Sequence, residues 1–219
     1  MAANTQPTAL SRERRADATR HAILAAAGRI FAESGLDGAR TDRIASAAGV
    51  NKAMLYYYFK SKDLLFLAVL EANFKEFQRR AAEALSSEAP AGAVLLRFVE
   101  THFDFISSRR DYPMLFQRLM LTSAARVERL ARKYFVPIAQ GLFEVIERGQ
   151  REGEFRKVDS HHAAISIVAL NVFYFSAAQV VRSVAHIDPY SPANLKRRKE
   201  EVLQFIRNAL FLDPEAAIG

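Results

Sequence analysis

The sequence contains no cysteine, and it has only 9 glycines and 7 prolines among 219 residues. Without cysteine there can be no disulfide, thiolate metal site or cysteine nucleophile, and we expect a cytoplasmic protein in a reducing compartment. Few glycines and prolines argue against a β-sandwich with many tight turns. Alanine, leucine, arginine and glutamate dominate instead, which favours helices. The length allows one sizeable core, or a small head fused to a larger body.

Long uninterrupted apolar runs are also missing. Residues 12–30 place three arginines before a short apolar run, but charged residues end that run, so we do not predict a signal peptide. Residues 163–181 approach the length of a membrane span, but Asn171 and Gln179 would be costly in lipid. A helix that is apolar nearly all round is otherwise a core or interface helix. We therefore predict no membrane partner.

The residues that could carry catalysis or hold a metal are not arranged for either task. The sequence has no phosphate-cradling glycine loop, no serine in a nucleophile elbow and no HExxH pair. Glu100, His102 and Asp104 form an acid–base cluster, but on one helix they do not converge. His161 and His162 would point about 100° apart on a helix and cannot easily share one ion. We predict no enzyme, no catalytic residue, no metal site and no cofactor.

The net charge of +7 is concentrated at the start of the chain. Residues 1–62 hold ten Lys or Arg against five Asp or Glu, whereas the remainder holds 21 against 19. A basic head on a nearly neutral body is typical of a nucleic-acid-binding protein. A basic surface that is merely solvated would show the same distribution, so charge alone leaves both interpretations open.

Two short helices joined by a glycine turn are predicted within this basic head. Thr41 is a suitable N-cap, Gly49 ends the first helix after two turns, and Asn51 can cap the next one. In the second helix Leu55 and Phe59 recur at the spacing of a buried face. A preceding helix, from about residue 17, ends at a glycine. The arrangement predicts a helix-turn-helix.

The remaining pattern is helical throughout. Ser61 caps a long helix that runs to the linker SSEAPAG, residues 86–92. Further long helices are expected over 124–152, where Pro137 would introduce a kink, and from about 160 to 184. Apolar spacing predicts about nine helices in total and no strand.

The stretch TDRIASAAGVNKAMLYYYFKSKDLL, residues 41–65, resembles the DNA-binding head of TetR-family transcriptional regulators. The resemblance covers about residues 17–65. Its matching positions are Phe31, Gly35, Thr41, Ile44-Ala45, Ala48-Gly49-Val50, Leu55-Tyr56, Phe59-Lys60, Lys62 and Leu64. It implies a homodimer that places two recognition helices in adjacent major grooves of double-stranded DNA at a palindromic operator. It also implies a helical body that binds a small-molecule effector and thereby weakens operator binding.

The resemblance and the helical pattern together define the expected architecture. We predict an all-α chain with a disordered tail over residues 1–12. An N-terminal three-helix helix-turn-helix DNA-binding domain is expected over 13–62. A larger helical effector-binding and dimerisation domain is expected over 63–219.

The residues expected to contact DNA lie on the outward faces of the short helices. Lys52 can reach guanine, the small Ala53 permits close approach to a base edge, and Tyr56 can contact bases or sugar. Tyr57 is placed for a phosphate. The full predicted set is Thr41, Arg43, Asn51, Lys52, Ala53, Met54, Tyr56, Tyr57, Lys60 and Lys62.

Three features of the head have two interpretations each. Lys60 either contacts a phosphate or is merely solvated. Tyr58 either packs in the core or contacts a phosphate. The arginines at 12, 14 and 15 either enter a minor groove as an arm or form a solvated basic tail.

The body is rich in phenylalanine, with eleven of the 16 beyond residue 80. The family resemblance favours a cavity for a lipophilic or aromatic effector, although any single aromatic residue at helical spacing is better explained as core. Polar residues among large apolar neighbours would need partners when buried. The predicted lining residues are Phe98, His102, Phe103, Tyr112, Phe116, Met120, Phe143, Asn171, Tyr174 and Gln179, with Met114, Phe135 and Phe173 as further candidates.

The last two helices are expected to form the dimer interface, because the family implies a four-helix bundle made by two subunits. Their apolar stripes are consistent with such a bundle. The charged segment 195–201 is either solvated or lies at the rim of the interface. The predicted interface residues are Val180, Val184, Val202, Ile206 and Leu210.

Three functions compete on the sequence alone. The first is a dimeric, ligand-responsive transcriptional repressor, which the helix-turn-helix, the basic head and the aromatic body favour. The second is an enzyme, for which no constellation was found. The third is an architectural DNA-binding protein without an effector, which would bind DNA with strong salt dependence and little sequence preference.

Overall fold

The computed structural model describes residues 9–215, and it describes side-chain environments from residue 13 onward. The described residues form eleven α-helices, so the predicted all-α class is confirmed. A disordered tail is expected over residues 1–12. Its first eight residues lie outside the described part of the chain, and a helix begins at Ala9. The helices are α1 Ala9–Gly38, α2 Thr41–Ala47, α3 Lys52–Phe59, α4 Lys62–Leu85, α5 Ala91–Ser107, α6 Tyr112–Met120, α7 Ala124–Leu130, α8 Val136–Glu152, α9 Ser160–Ser176, α10 Ala178–Ala185 and α11 Pro192–Leu210.

Two helices that the sequence predicts as continuous are interrupted, which explains why eleven helices replace about nine. A π-helical turn, Ala131–Phe135, separates α7 from α8. Pro137 has no N–H for the carbonyl of Lys133 four residues earlier, and that carbonyl instead accepts a hydrogen bond from Gln78 Nε2 at 3.2 Å. The second break lies at Ala177, where α9 and α10 are bent by 77°.

The chain divides into two compact units, residues 1–72 and residues 73–219, which we call the head unit and the body unit. In the head unit, α1 buries the apolar face that its sequence predicts, including Ile23 and Phe31. The Phe31 ring meets the Phe66 ring edge to face, with centroids 5.1 Å apart. Each large apolar side chain buried in this way contributes roughly 1.5–3 kcal/mol to folding. Gly35, expected to end α1, has a φ of 70° and interrupts it three residues before its last residue.

Most of the predicted helix starts are confirmed by side-chain caps. Asn51 Oδ1 accepts from Met54 N at 2.8 Å, and Ser61 Oγ accepts from Leu64 N at 3.1 Å. Asp159 caps α9 by accepting from the backbone of the third residue beyond it, at 2.9 Å. The prediction that Thr41 caps α2 is wrong by one residue, because the extended backbone of Arg40 takes that position and no side chain caps it.

In the body unit, α5 packs against α8, α9 and α11. The two carboxylate oxygens of Glu154 accept from the backbone N–H groups of Ala91 and Gly92, each at 2.8 Å, and thereby satisfy the first amides of α5. The close approach requires glycine at position 92, since a Cβ there would lie 2.5 Å from the Phe211 ring.

The inward face of α11, which the sequence assigns to the dimer interface, is covered by its own chain. Val202, Ile206 and Leu210 are buried within the chain itself and leave almost no surface for a second subunit. An amphipathic stripe shows that one face of a helix is covered, and here the covering elements include α5 and α9 of the same chain. On α10, by contrast, Val180 and Val184, which the sequence also assigns to the interface, are exposed.

No single helix among the described residues is long and apolar enough to cross a membrane. Within residues 9–215, only α9 and α10 taken together have the necessary length and composition, and they are sharply bent relative to each other.

Candidate nucleic-acid interface and effector cavity

Helix α3 is held in the head unit by the two apolar residues that its spacing predicts. Leu55 and Phe59 are buried, and α3 packs against α2. The guanidinium of Arg20 lies 5.4 Å from the centroid of the Phe59 ring. The turn before α3 requires Gly49, whose φ is 68°. Because both buried residues lie on one side of α3, its remaining side chains except that of Tyr58 are exposed.

The outward surface of α3 carries the side chains that the sequence assigns to DNA. Ala53, Met54 and Tyr56 are exposed, and Tyr57 is 72% exposed. These side chains suit a DNA groove in which base edges and sugars are contacted, because they are one small residue, one flexible apolar residue and two phenols without a buried partner. Asn51 lies at the start of the same surface, but its side-chain oxygen is engaged in the cap of α3.

The two ends of this surface are joined to α2 by polar contacts. Lys52 Nζ lies 3.0 Å from the Asp42 carboxylate, which raises the pKa of Lys52 through a hydrogen bond and through its charge. The Tyr56 hydroxyl donates to Thr41 Oγ1 at 3.5 Å. Both contacts are exposed, so they hold the side chains weakly and leave them able to exchange partners for DNA. The fold therefore brings Thr41, Lys52 and Tyr56 together on one surface.

Three other predicted basic residues have partners within the protein. Arg43 pairs with Glu33 at 2.6 Å. Lys60 Nζ donates to the carbonyl of Tyr57 at 3.0 Å and lies 5.4 Å from the centroid of that ring. Lys62 Nζ donates to two backbone carbonyls at the end of α1, those of residues 37 and 39, at 3.2 and 3.3 Å. The last carbonyls of a helix lack amide partners, which is the physical reason for this contact.

The structure describes the surroundings of Tyr58 and of two of the three N-terminal arginines, for which the sequence leaves two interpretations each. Tyr58 is half-buried, and its ring lies edge to face with Tyr57 at 5.4 Å and tilted against Phe59 at 6.3 Å. Arg14 and Arg15 lie exposed on α1. The side chain of Arg12 lies outside the described part of the chain.

The body unit contains a cavity of about 380 Å³ between α4, α5, α6, α8 and α9. This volume lies at the lower end of the range for small-molecule sites, about 300–1,000 Å³. The lining is dominated by aromatic and aliphatic side chains. The lining residues are Phe77, Phe98, His102, Ile106, Tyr112, Pro113, Phe116, Phe135, Ile138, Ala139, Leu142, Phe143, Ala164, Ile165, Val168, Ala169, Val172 and Ser176.

Half of the ten predicted cavity residues line this space, namely Phe98, His102, Tyr112, Phe116 and Phe143, and so does the further candidate Phe135. The other predicted residues lie elsewhere for identifiable reasons.

Phe103 packs edge to face on Phe175, with ring centroids 5.2 Å apart. Tyr174 lies under the guanidinium of Arg198, 4.9 Å from the centroid of its ring. Met120 and Gln179 are exposed, as are the further candidates Met114 and Phe173, and Asn171 is buried behind the cavity wall.

The sequence interpretation missed the lining residues of α4 and α9 and all those of α8 except Phe143. Phe77 and Leu142 were treated as part of ordinary helical patterns, because helical spacing does not distinguish a core residue from a cavity residue. A stronger indication was available in the sequence for Ser176, because its hydroxyl group lies within the apolar run of residues 163–181. Its Oγ is buried without a hydrogen-bond partner among the described residues.

The most buried polar pair in the body unit lies directly behind the cavity. Asn171 Nδ2 lies 3.3 Å from the carbonyl oxygen of Val99 and 3.4 Å from His102 Nδ1. The His102 ring packs against the rings of Phe77 and Phe98, with centroids 5.0 and 6.0 Å away. Burial lowers the pKa of His102 from 6.5 to about 4, so the imidazole is neutral at physiological pH.

The described residues contain no group of three His, Cys, Asp or Glu side chains that could hold a metal ion. His161, one of the adjacent histidines, stacks against Phe143 with ring centroids 4.2 Å apart.

The fold and the exposed face of α3 define a helix-turn-helix DNA-binding protein. A family model described as bacterial regulatory proteins of the tetR family matches residues 23–69. A second, described as the tetracyclin repressor-like C-terminal domain, matches residues 92–206. The chain belongs to the TetR family of transcriptional regulators, a family without enzymatic activity.

Individual relatives agree with this assignment. The HTH-type transcriptional repressor NicS of Pseudomonas putida is 30% identical over 198 residues, which cover 89% of this chain and 92% of that protein. The ketosteroid transcriptional regulator KstR2 of Mycobacterium tuberculosis has a TM-score of 0.73 at 20% identity, covering 89% of this chain and 95% of the other. A transcriptional regulator from Saccharomonospora viridis in complex with choline has a TM-score of 0.72 at 23% identity, covering 89% and 98%. At such identities the two structures support the fold alone.

Proposed function

We propose that this DNA-binding regulator is a repressor that binds a palindromic operator as a homodimer and is released by a small lipophilic or aromatic effector. The observation that carries the proposal is the cavity of about 380 Å³, lined by aromatic and aliphatic side chains, in a chain that also exposes a recognition helix. A ligand that favours the non-binding state by a few kcal/mol is enough to release DNA.

The exposed apolar residues of the body unit support a homodimer. Phe173 on α9, Val180 and Val184 on α10, and Phe205 on α11 are all more than half exposed. Exposed apolar patches in an otherwise ordinary chain mark interaction sites. An interface between two copies would lie on this surface, with Val180 and Val184 as predicted and with Phe205 in place of the buried stripe of α11.

The expected DNA contacts divide into those that read sequence and those that position the protein. Lys52 and Tyr56, with Ala53 between them, lie where base edges would be contacted. Tyr57, Lys60 and the α2 residues would contact the phosphates. In a dimer the two copies of α3 would match half-sites about 34–36 Å apart.

The similar proteins provide limited support for repression by an effector-sensitive protein. The Pseudomonas putida relative is named a repressor, and the Saccharomonospora viridis regulator was solved with choline. We extend repression and ligand binding to this chain because it has both the matching head and a cavity.

The test is selection of bound duplexes from fragmented source-genome DNA with purified protein at moderate salt, including the region beside its own gene. Recovery of a palindrome would support the proposal, and neighbouring genes would indicate the effector class. Binding without sequence preference, unchanged by any extract of the source cells, would instead indicate the architectural DNA-binding protein.

A matched pair of variants tests the placement of the recognition face. Lys52→Ala is expected to weaken binding and to change the preferred base at one position of each half-site, since a lysine contact to guanine carries sequence information. Lys75→Ala, on α4 outside the helix-turn-helix, is the control and should leave the preference unchanged. An unchanged preference in Lys52→Ala would show that another face of the head reads DNA.

A further inference from the structure

The polar contacts of His102 determine which of its ring nitrogens carries the proton. A carbonyl oxygen can only accept, so the side-chain atom of Asn171 that faces the Val99 carbonyl at 3.3 Å must be its NH₂ group. The same NH₂ group lies 3.4 Å from His102 Nδ1 and donates to it. A nitrogen that accepts a hydrogen bond has a free lone pair, so the neutral imidazole carries its proton on Nε2.

The Nε2–H group of His102 is left as a donor on a residue that lines the cavity. Among the described residues it has no hydrogen-bond partner. Ser176, on the opposite helix α9, also lines the cavity, and its buried Oγ is equally unpartnered in the described part of the chain. A buried hydroxyl without a partner, such as that of Ser176, is uncommon and costly. Together with the imidazole N–H of His102, it points to a ligand that supplies a hydrogen-bond acceptor.

The charge of the lining restricts the ligand further. Among the described residues that line the cavity there is no Lys, Arg, Asp or Glu. Tyr112 supplies a second hydroxyl, and its burial raises the pKa of that group, so it remains protonated and uncharged. A charged ligand group would be removed from water without an opposite charge, which costs several kcal/mol. Aromatic faces attract cations. However, His102, the one polar group whose hydrogen-bond direction is determined, presents a hydrogen and therefore suits an acceptor.

We propose that the cavity binds an uncharged lipophilic molecule through a hydrogen-bond acceptor, such as a ketone or ester oxygen, that accepts from the Nε2–H of His102. Asn171 is the positioning residue, since its amide holds the imidazole in the required tautomer. The proposal rests on the cavity being the effector site and adds the chemistry that this site selects.

The test uses four ligands with one naphthalene skeleton and the full-length chain, with binding measured by isothermal titration calorimetry. They are 2-acetylnaphthalene, 2-isopropenylnaphthalene, 2-naphthoate and 2-naphthyltrimethylammonium. The ketone is expected to bind about tenfold more tightly than the alkene of the same shape, because one buried hydrogen bond separates them. The anion and the cation should bind more weakly than the alkene. Equal binding of the ketone and the alkene, tighter binding of either ion, or no binding by any of the four would overturn the proposal.

Variants of the lining identify the donor. His102→Phe should reduce the affinity for the ketone about tenfold and leave the alkene within about twofold. Ser176→Ala and Tyr112→Phe, which each remove one hydroxyl, should reduce ketone binding by less. A larger loss in either hydroxyl variant would overturn the assignment to His102. If His102→Phe does not fold, the ligand series on the unaltered protein still decides.

Operator binding is measured separately by fluorescence anisotropy, so that the two proposals can fail independently. A ketone that binds as expected and leaves operator affinity unchanged would refute the effector function but not the ligand chemistry. Release of DNA by 2-naphthoate, with tighter binding of that anion than of the ketone, would support the effector function and overturn the neutral-acceptor proposal.

Discussion

The buried imidazole of His102 should make the protein lose stability as the pH falls, and His102→Phe should remove that loss. The unfolded chain takes up the histidine proton below a pKa of 6.5, whereas in the folded chain burial lowers this pKa to about 4. Between these values the unfolded state binds more protons, so the free energy of unfolding decreases as the pH is lowered. The stabilising contribution is fully present above pH 6.5 and is lost as the pH falls through about 4.

The magnitude follows from the same two values. A pKa difference of one corresponds to about 1.4 kcal/mol, so the window from 6.5 to about 4 corresponds to roughly 3 kcal/mol. The ring meets Phe77, Phe98 and Asn171, and none of these three residues titrates in this window. At pH 7 the variant should be less stable by about 1–3 kcal/mol, because the Asn171 amide loses an acceptor. The difference should shrink or reverse by pH 4.5.

The assay is urea unfolding followed by far-ultraviolet circular dichroism at several pH values between 7 and 4.5. Protein concentration is held constant, since stability of an oligomer depends on it. Tyr112→Phe is the control, because it alters the same cavity without removing a group that titrates in this range, and it should follow the pH dependence of the unaltered protein. Parallel stability curves for His102→Phe and the unaltered protein would refute the assignment of a buried neutral imidazole.

Three further predictions concern the body cap, the dimer and the DNA surface. Glu154→Ala should lower the free energy of unfolding, measured by urea unfolding, by about 1–2 kcal/mol, because two amides at the start of α5 lose their acceptor. The control Glu152→Ala, at an exposed position, should change this free energy by less than about 0.5 kcal/mol. Equal effects of the two substitutions would contradict this account. If the proposed homodimer uses this surface, Val184→Asp should shift the protein from dimer to monomer in sedimentation velocity, since Val184 is 76% exposed. Gln140→Asp on α8 should leave the sedimentation unchanged. An unshifted Val184→Asp would contradict the proposed interface. Tyr57→Ala should weaken binding to operator and unrelated DNA alike in anisotropy titrations, and a change confined to the operator would show that Tyr57 reads bases.

The sequence by itself determined the features that depend on neighbours within about four residues. The caps at Asn51 and Ser61, the positive φ at Gly49, and the burial of Leu55 and Phe59 were all predictable, because a cap, a turn and a helical face are local properties. The outward surface of α3 was predictable for the same reason, since most positions that are not buried on a short helix point outward. The family pattern of residues 17–65 consists of these local features.

Only the tertiary structure decided which long-range partners the side chains find. The apolar stripe of Val202 and Ile206 predicts a covered face, but the sequence cannot tell whether α5 and α9 or a second subunit covers it. Lys62 contacts carbonyls 25 and 23 residues earlier, and Asn171 meets His102 across 69 residues. Such contacts depend on how separate helices pack, because burial and hydrogen bonding act between whatever groups the fold brings together, regardless of their separation along the chain.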